Sequence, residues 1–315
     1  MTKKAVNNYR ENIGGSEDTC MVDEMRNGKN SIYIGFGPDK WFEHFPTCGG
    51  SSQSPISIDK FEAEASGQLP PVKISTSNEN GLLFGYYIND GHGFGMTIDK
   101  EQGTATISGG PLGTDTYTLE KIDFHFSCQD KEFASEHIVD GFSHDGEVLI
   151  LSHDKIQLVF YNTKYPNFNT AMDKSDGLTI MAFFILLSLG DFNKASLVMT
   201  HFMEDTAEPV RSAFSKYGMN LYDLLPPLKN MGSKLHYVYY SGSLTRPPCH
   251  ESVTWMVFPE AVRFSFHEVL KLMLKANQWK KMLGYHGHLC NNVRPPQPLN
   301  GRKVHVVELS HSAYD

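Results

Sequence analysis

Two polar side chains alternate with large apolar ones in the stretch 122–126, which reads Ile-Asp-Phe-His-Phe. Alternate residues of a β-strand share a face, so Asp123 and His125 point the same way and their apolar neighbours point the other way. A carboxylate and an imidazole can bind a metal ion or transfer a proton. The spacing fits either the floor of a cavity or the wet face of an edge strand, and by itself does not decide between them.

A similar setting recurs at Gln157, whose neighbours Ile156 and Leu158 would face the opposite side of a strand. Further along, residues 241–248 are rich in turn formers and carry hydroxyl side chains. They stand directly before a strand predicted at 252–258. Polar groups at strand positions and strand ends are therefore the candidates for chemistry in this chain.

Another possible metal cluster is the spacing His286-x-His288-x-Cys290. A short loop that offers three such ligands can chelate zinc or copper. Three neighbouring surface residues more often bind nothing, so we predict no site there.

Short β-rich runs separated by turn signals indicate a large sheet over about residues 37–165. An apolar run at 178–189 is typical of a buried strand and is too short to cross a bilayer. Helices are predicted at 207–217, with Pro209 in the first turn, and from Ser265 onward, where Glu268 completes a capping box. Other predicted strands are 96–98, 104–107, 122–126, 148–151 and 156–161.

Composition and charge bound the class of protein. The chain has 315 residues, 40% hydrophobic and 20% charged, as expected for a globular protein, and a formal net charge of −8. That charge disfavours nucleic acid and anionic membranes as general partners.

Residues 1–36 are polar and predict an extended arm, and no linker divides residues 37–315, which we interpret as one domain. The start of the chain lacks the apolar stretch of a signal peptide, which suggests either a cytosolic protein or a mature secreted form with an added methionine.

Several ordered motifs across about residues 37–306 resemble the α-carbonic anhydrases. The matching stretches include Gln53-Ser54-Pro55-Ile56, Gly109-Gly110-Pro111-Leu112, Ser135-Glu136-His137, Asn162-Thr163-Lys164-Tyr165, Gly242-Ser243-Leu244-Thr245 and Arg294-Pro295-Pro296-Gln297. The resemblance implies an α+β, predominantly β fold: a twisted, mostly antiparallel sheet of about ten strands with peripheral helices and a conical pocket on one face.

In active members of that family, three histidines hold a zinc ion whose bound water supplies hydroxide to carbon dioxide. By the resemblance, the first two positions are Asp123 and His125. The third is Gln157 if an insertion lies around residues 142–153, or Leu149 if the insertion follows the strand; neither is a histidine. A carboxylate, one imidazole and an amide oxygen make a poor zinc site, so no cofactor is expected.

The surroundings of this site match the family better than the ligands do. The resemblance assigns Glu136 and Thr245 to the pair that orients zinc-bound hydroxide, and His92 to the proton shuttle. Arg246 replaces a small or hydroxyl residue and would narrow or recharge the pocket. Without a metal these roles are vestigial. The implied apolar pocket wall consists of Val159, Ile180, Leu244, Val253 and Trp255.

The resemblance also implies a disulfide between Cys48 and Cys249, as in extracellular members of the family, and thereby an oxidising compartment. The remaining cysteines, Cys20, Cys128 and Cys290, cannot all pair within one chain, so a disulfide-linked dimer is possible.

The chain is expected to be a catalytically silent extracellular protein that binds a protein, matrix or biomineral. The alternatives are a weakly active, metal-dependent carbonate dehydratase and a structural, storage or carrier protein.

Overall fold

The computed structural model describes residues 22–26, 29–33, 37–78, 80–89, 94–125, 136–140, 155–188, 193–205, 212–230, 236–265 and 293–307. The strands, in chain order, are β1 (Val22–Arg26), β2 (Lys29–Tyr33), β3 (Ser57–Ile58), β4 (Glu64–Ala65), β5 (Lys73–Thr76), β6 (Leu82–Leu83), β7 (Gly85–Asn89), β8 (Phe94–Ile98), β9 (Ala105–Ser108), β10 (Thr116–His125), β11 (Ile138–Val139), β12 (Lys155–Asn162), β13 (Leu178–Ser188), β14 (Ser212–Phe214), β15 (Met219–Asn220), β16 (Tyr237–Gly242), β17 (Val253–Ser265) and β18 (His305–Val307). The α-helices are α1 (Trp41–His44), α2 (Phe168–Ala171), α3 (Lys194–Asp205) and α4 (Leu221–Leu224).

Within these ranges the main sheet has twelve strands, in the order β14-β7-β8-β10-β12-β13-β17-β16-β18-β4, with β9 beside β10 and β5 beside β9. Its pairings are antiparallel except for β13 with β17 and β18 with β4. The predicted fold class, a large and mostly antiparallel sheet with few helices, is confirmed.

The sequence located the central strands well. The predicted strands 96–98, 156–161 and 178–189 correspond to β8, β12 and β13, and 122–126 overlaps the end of β10. The strand predicted at 148–151 lies outside the described residues.

The helix predicted at 207–217 is wrong where the structure describes it. Residues Ser212–Phe214 form β14, which pairs antiparallel with β7 at the edge of the main sheet. Ladder hydrogen bonds to a strand distant in sequence outweighed the local helical signals, since tertiary context overrides propensity. The helix of this region, α3, ends earlier, at Asp205. Ser265 ends β17, and the helix predicted beyond it lies outside the described residues.

The sheet separates two apolar clusters, because alternate residues of each central strand face opposite sides. On β12, Ile156, Leu158 and Phe160 belong to the larger cluster. Val159 and Tyr161 belong to the other. Every residue of β12 is buried, polar ones included. Polar side chains at 155 and 157 therefore need partners inside the protein, since unpaired buried polar groups are costly.

Three further features concern the disulfide, the N-terminal segment and the helices. Cys48 and Cys249 form a disulfide, with sulfur atoms 2.04 Å apart, so the predicted pairing is confirmed. Within the segment predicted as an extended arm, β1 and β2 pair as an antiparallel hairpin. Among the described helices, none is long and apolar enough to cross a membrane.

Candidate functional site

The register of the sheet brings the two predicted ligand positions on β10 and β12 together. Asp123 is the direct antiparallel partner of Gln157, and on its other side it pairs with Gly95 of β8. A Cβ atom at Gly95 would lie 2.3 Å from the Ile122 carbonyl oxygen and 3.0 Å from Oδ1 of Asp123. Glycine at this position therefore leaves room for the carboxylate.

Asp123 is held by cations of the protein itself. The Lys121 ammonium, two residues earlier on the same face of β10, lies 2.6 Å from Oδ2. Burial acts to raise the pKa of the Asp123 carboxyl, but Lys121, Arg246 and His125 together lower it below its ordinary value. The carboxylate is thus charged and already neutralised without a bound ion.

His125 and Gln157 both face the carboxylate of Glu136, which is 1% exposed. Nδ1 of His125 lies 3.2 Å from Oε1, and the side-chain amide nitrogen of Gln157 donates a hydrogen bond to Oε2. The Thr245 hydroxyl also hydrogen-bonds Glu136. Burial would raise the pKa of Glu136, but His125, Lys155 and Thr245 outweigh it and lower the pKa.

Lys155 lies on the same face of β12 as Gln157 and is fully buried. Its Nζ donates a 2.8 Å hydrogen bond to the His137 carbonyl oxygen and lies 4.7 Å from the centre of the Phe184 ring. Burial lowers the pKa of Lys155 well below its ordinary value, and only the charge of Glu136 opposes this. A basic side chain thus occupies the interior beside the candidate ligand positions.

A separate hydrogen-bonded chain begins at the neighbour of Glu136 and runs through the core. Nε2 of the next residue, His137, lies 2.6 Å from the Tyr240 hydroxyl, which donates to Ser54. Burial lowers the pKa of His137 well below its ordinary value, and Lys155 and His125 lower it further. The uncharged imidazole of His137 is thus linked through Tyr240 of β16 to Ser54, in the segment before β3.

The predicted apolar wall lies on the same side of the sheet as Gln157. Val159 pairs with Ile180, and Ile180 pairs with Trp255, so the three form a row across β12, β13 and β17. Val253 belongs to the same buried cluster, and Leu244 packs against it. The structure thus brings together every wall residue that the resemblance assigned.

Zinc, which the resemblance implies for active members, does not fit this donor set. A zinc site needs several lone pairs directed at one point. Here Asp123 is paired with Lys121, and the amide of Gln157 directs its N–H to Glu136. Among the described residues, no three His, Cys, Asp or Glu side chains are grouped to hold a metal ion.

Some of the remaining predicted site residues lie within the described part of the chain, and others lie outside it. Glu136 and Thr245 lie in contact with each other, as the resemblance implied. His92, Leu149 and the cluster at 286–290 lie outside the described residues. The sequence analysis overlooked Lys121 and Lys155, although a lysine two residues from a candidate ligand on the same strand face signals a competing charge.

Comparison with known proteins completes this picture. The family model described as eukaryotic-type carbonic anhydrase matches residues 36–308. The chain is also 32% identical, over 271 residues, to Carbonic anhydrase 1 of Mus musculus, a match that covers 85% of this chain and 94% of that protein.

Proposed function

Because the chain belongs to the eukaryotic-type carbonic anhydrase family, we propose that it is a catalytically silent member that acts by binding outside the cell. One observation carries the proposal: the side chains at the three expected ligand positions bind partners within the protein. Asp123 pairs with Lys121, while His125 and Gln157 face Glu136.

Silence follows from the chemistry of carbon dioxide hydration. The reaction needs a hydroxide near neutral pH, which a metal supplies by lowering the pKa of its bound water to about 7. The chain retains groups that would orient such a hydroxide, Glu136 and Thr245, but they do not themselves generate it. Arg246, whose charge acts on Asp123, adds a cation beside the same positions.

The extracellular location is supported by the Cys48–Cys249 bond, because disulfides persist mainly in oxidising compartments. The apolar residues that the resemblance assigns to the pocket wall belong to or pack against one buried cluster, which supports a stable framework for binding at the surface. We propose a protein, an extracellular matrix or a biomineral surface as the class of that ligand. The fold alone does not select among them.

Metal analysis and stopped-flow hydration of carbon dioxide test the proposal on the purified chain. We expect substoichiometric zinc and a hydration rate indistinguishable from the buffer rate, with and without added zinc. His125→Ala is the matched control, because it removes the remaining imidazole at the site and should change neither measurement. Hydration that a chelator abolishes in the native protein, and that His125→Ala also abolishes, would show a working metal site and refute the proposal.

A further inference from the structure

Three side chains from separate parts of the fold converge on one buried carboxylate. His125 comes from β10, Gln157 from β12 and Thr245 from the segment after β16, and all three contact Glu136. Glu136 itself is 1% exposed, and His125 and Gln157 are 1% and 3% exposed. The carboxylate is therefore removed from water and depends on these donors, since an isolated buried charge is very costly.

The direction of these contacts follows from the acceptor. An ionised carboxylate only accepts hydrogen bonds, so the groups that hydrogen-bond to it must carry hydrogens. The amide nitrogen of Gln157 and the Thr245 hydroxyl therefore point hydrogens at Glu136, not lone pairs at a shared cation, and the Nδ1 atom of His125 lies 3.2 Å from Oε1. A metal site has the opposite polarity, because its ligands direct lone pairs inward.

We propose that the family's metal position has become an anion-centred site, which the Glu136 carboxylate occupies in the native protein. When the Glu136 side chain is removed, the site accepts a small free carboxylate as its ligand. This inference rests on the proposed function in one respect, the absence of a bound metal.

A contact between histidine Nδ1 and a carboxylate also supports metal-bound histidines in other proteins. Two neighbours argue against that role for His125 here. The amide nitrogen of Gln157 donates its hydrogen bond to Glu136, and the charge of Lys155 also acts on Glu136. Lys121 and Arg246 flank the adjacent Asp123. Basic groups already act on both carboxylates, so a divalent cation would have to displace them.

Anion rescue of Glu136→Ala is the first test. The substitution deletes a fragment of the size and charge of acetate, and leaves His125, Gln157 and Thr245 around the vacated volume. We expect acetate to raise the Tm of this variant by roughly 2–4 °C at ten times its Kd. Acetamide, which is neutral but of the same shape, should give no such rise, and neither should chloride at equal ionic strength.

Val159→Ala is the matched control, because Val159 is buried on the same face of β12 and its truncation opens an apolar cavity without removing a charge. We expect no specific acetate effect on this variant or on the native protein. An equal response to acetate in both variants, or no response in a folded Glu136→Ala, would overturn the inference.

A second pair of variants decides the matter if Glu136→Ala does not fold. Gln157→Glu turns a donor to Glu136 into a second carboxylate, whereas Gln157→Met removes the donor without adding charge. In an anion-centred site, Gln157→Glu should have a Tm several degrees below that of Gln157→Met. Added zinc should not reverse the difference. A Tm of Gln157→Glu equal to or above that of Gln157→Met, without added zinc, would refute the inference.

Failure of this inference and failure of the proposed function give different results. Chelator-sensitive hydration by the native protein contradicts the proposed function. The absence of an acetate effect, with no hydration in the native protein, contradicts only the anion-centred site.

Discussion

Asp123 and Gln157 are direct cross-strand partners on β10 and β12, yet their side chains bind groups of opposite charge. Asp123 contacts the ammonium of Lys121, and Gln157 donates to the carboxylate of Glu136. In a metal site these two positions would share one ion. Here each is satisfied separately, so a metal ion at this site would compete with both internal partners.

Restoring both missing imidazoles should restore affinity for zinc. We expect Asp123→His with Gln157→His to bind zinc at least about tenfold more tightly than either single variant, because two added lone pairs can act with His125. Competition with a chromophoric chelator measures this affinity. Unchanged affinity in the double variant would contradict the expectation.

Lys155 should limit that restoration. Adding Lys155→Gln to the double variant removes a basic group buried beside the site and should tighten zinc binding further. Hydration of carbon dioxide, followed by stopped flow, should return only in part, because Arg246 still lies where its charge acts on position 123. Full activity in the double variant would show that neither residue obstructs the site.

Removing the disulfide should destabilise the fold strongly. The bond joins residues 201 positions apart, and the chain-entropy model assigns about 5 kcal/mol to a loop of that length, as an upper figure. We expect Cys48→Ser with Cys249→Ser to lower the free energy of unfolding in urea by roughly 3–5 kcal/mol. A reducing agent should weaken the native protein and leave the variant unaffected. Peptide mapping that recovers both cysteines as free thiols would contradict the bridge.

Tyr117 should make the fold sensitive to alkaline pH. Its ring is buried, and its hydroxyl donates to the Asp176 carbonyl oxygen at 3.0 Å. Burial, with the charge of Asp115, raises its pKa to about 12. The unfolded chain, with a pKa near 10, loses this proton first, so the stabilisation is present below pH 10 and is lost as the pH rises toward 12.

The Tyr117→Phe variant isolates this effect. Between pH 9 and 11, native protein with blocked free thiols should lose about 1.4 kcal/mol more in the free energy of unfolding than Tyr117→Phe does. Urea titrations at several pH values measure both slopes. Parallel slopes would exclude Tyr117 as a source of the pH dependence.

The odd number of cysteines predicts a reactive thiol or an intermolecular bond. With Cys48 and Cys249 paired, three cysteines are left, of which Cys20 in the polar N-terminal segment is the one we expect to be free or to link two chains. Non-reducing electrophoresis and thiol titration distinguish these cases, and Cys20→Ser should abolish the dimer or one titratable thiol. A monomer without any titratable thiol or adduct would contradict this prediction.

The sequence predicted the central strands and the candidate site because alternation along one strand suffices to assign a face. Alternation placed Asp123 and His125 on one strand face, the resemblance assigned Gln157 or Leu149 to the third position, and the pairing of β10 with β12 brings Asp123 beside Gln157. The contacts of Gln157 with Glu136 could not be predicted, since they depend on strand register and on a loop that returns from elsewhere in the chain. Local signals likewise suggested a helix where pairing with a distant strand produced β14.

The parallel pairing of β13 with β17 has a consequence for how the protein folds. These neighbours lie at the centre of the sheet, but the whole segment 189–252 separates them in the chain. Contacts of such high contact order form late, because the entropy of closing the intervening loop opposes them before any burial compensates. The chain is therefore expected to fold slowly, with the apolar edges of both strands exposed to aggregation until they meet.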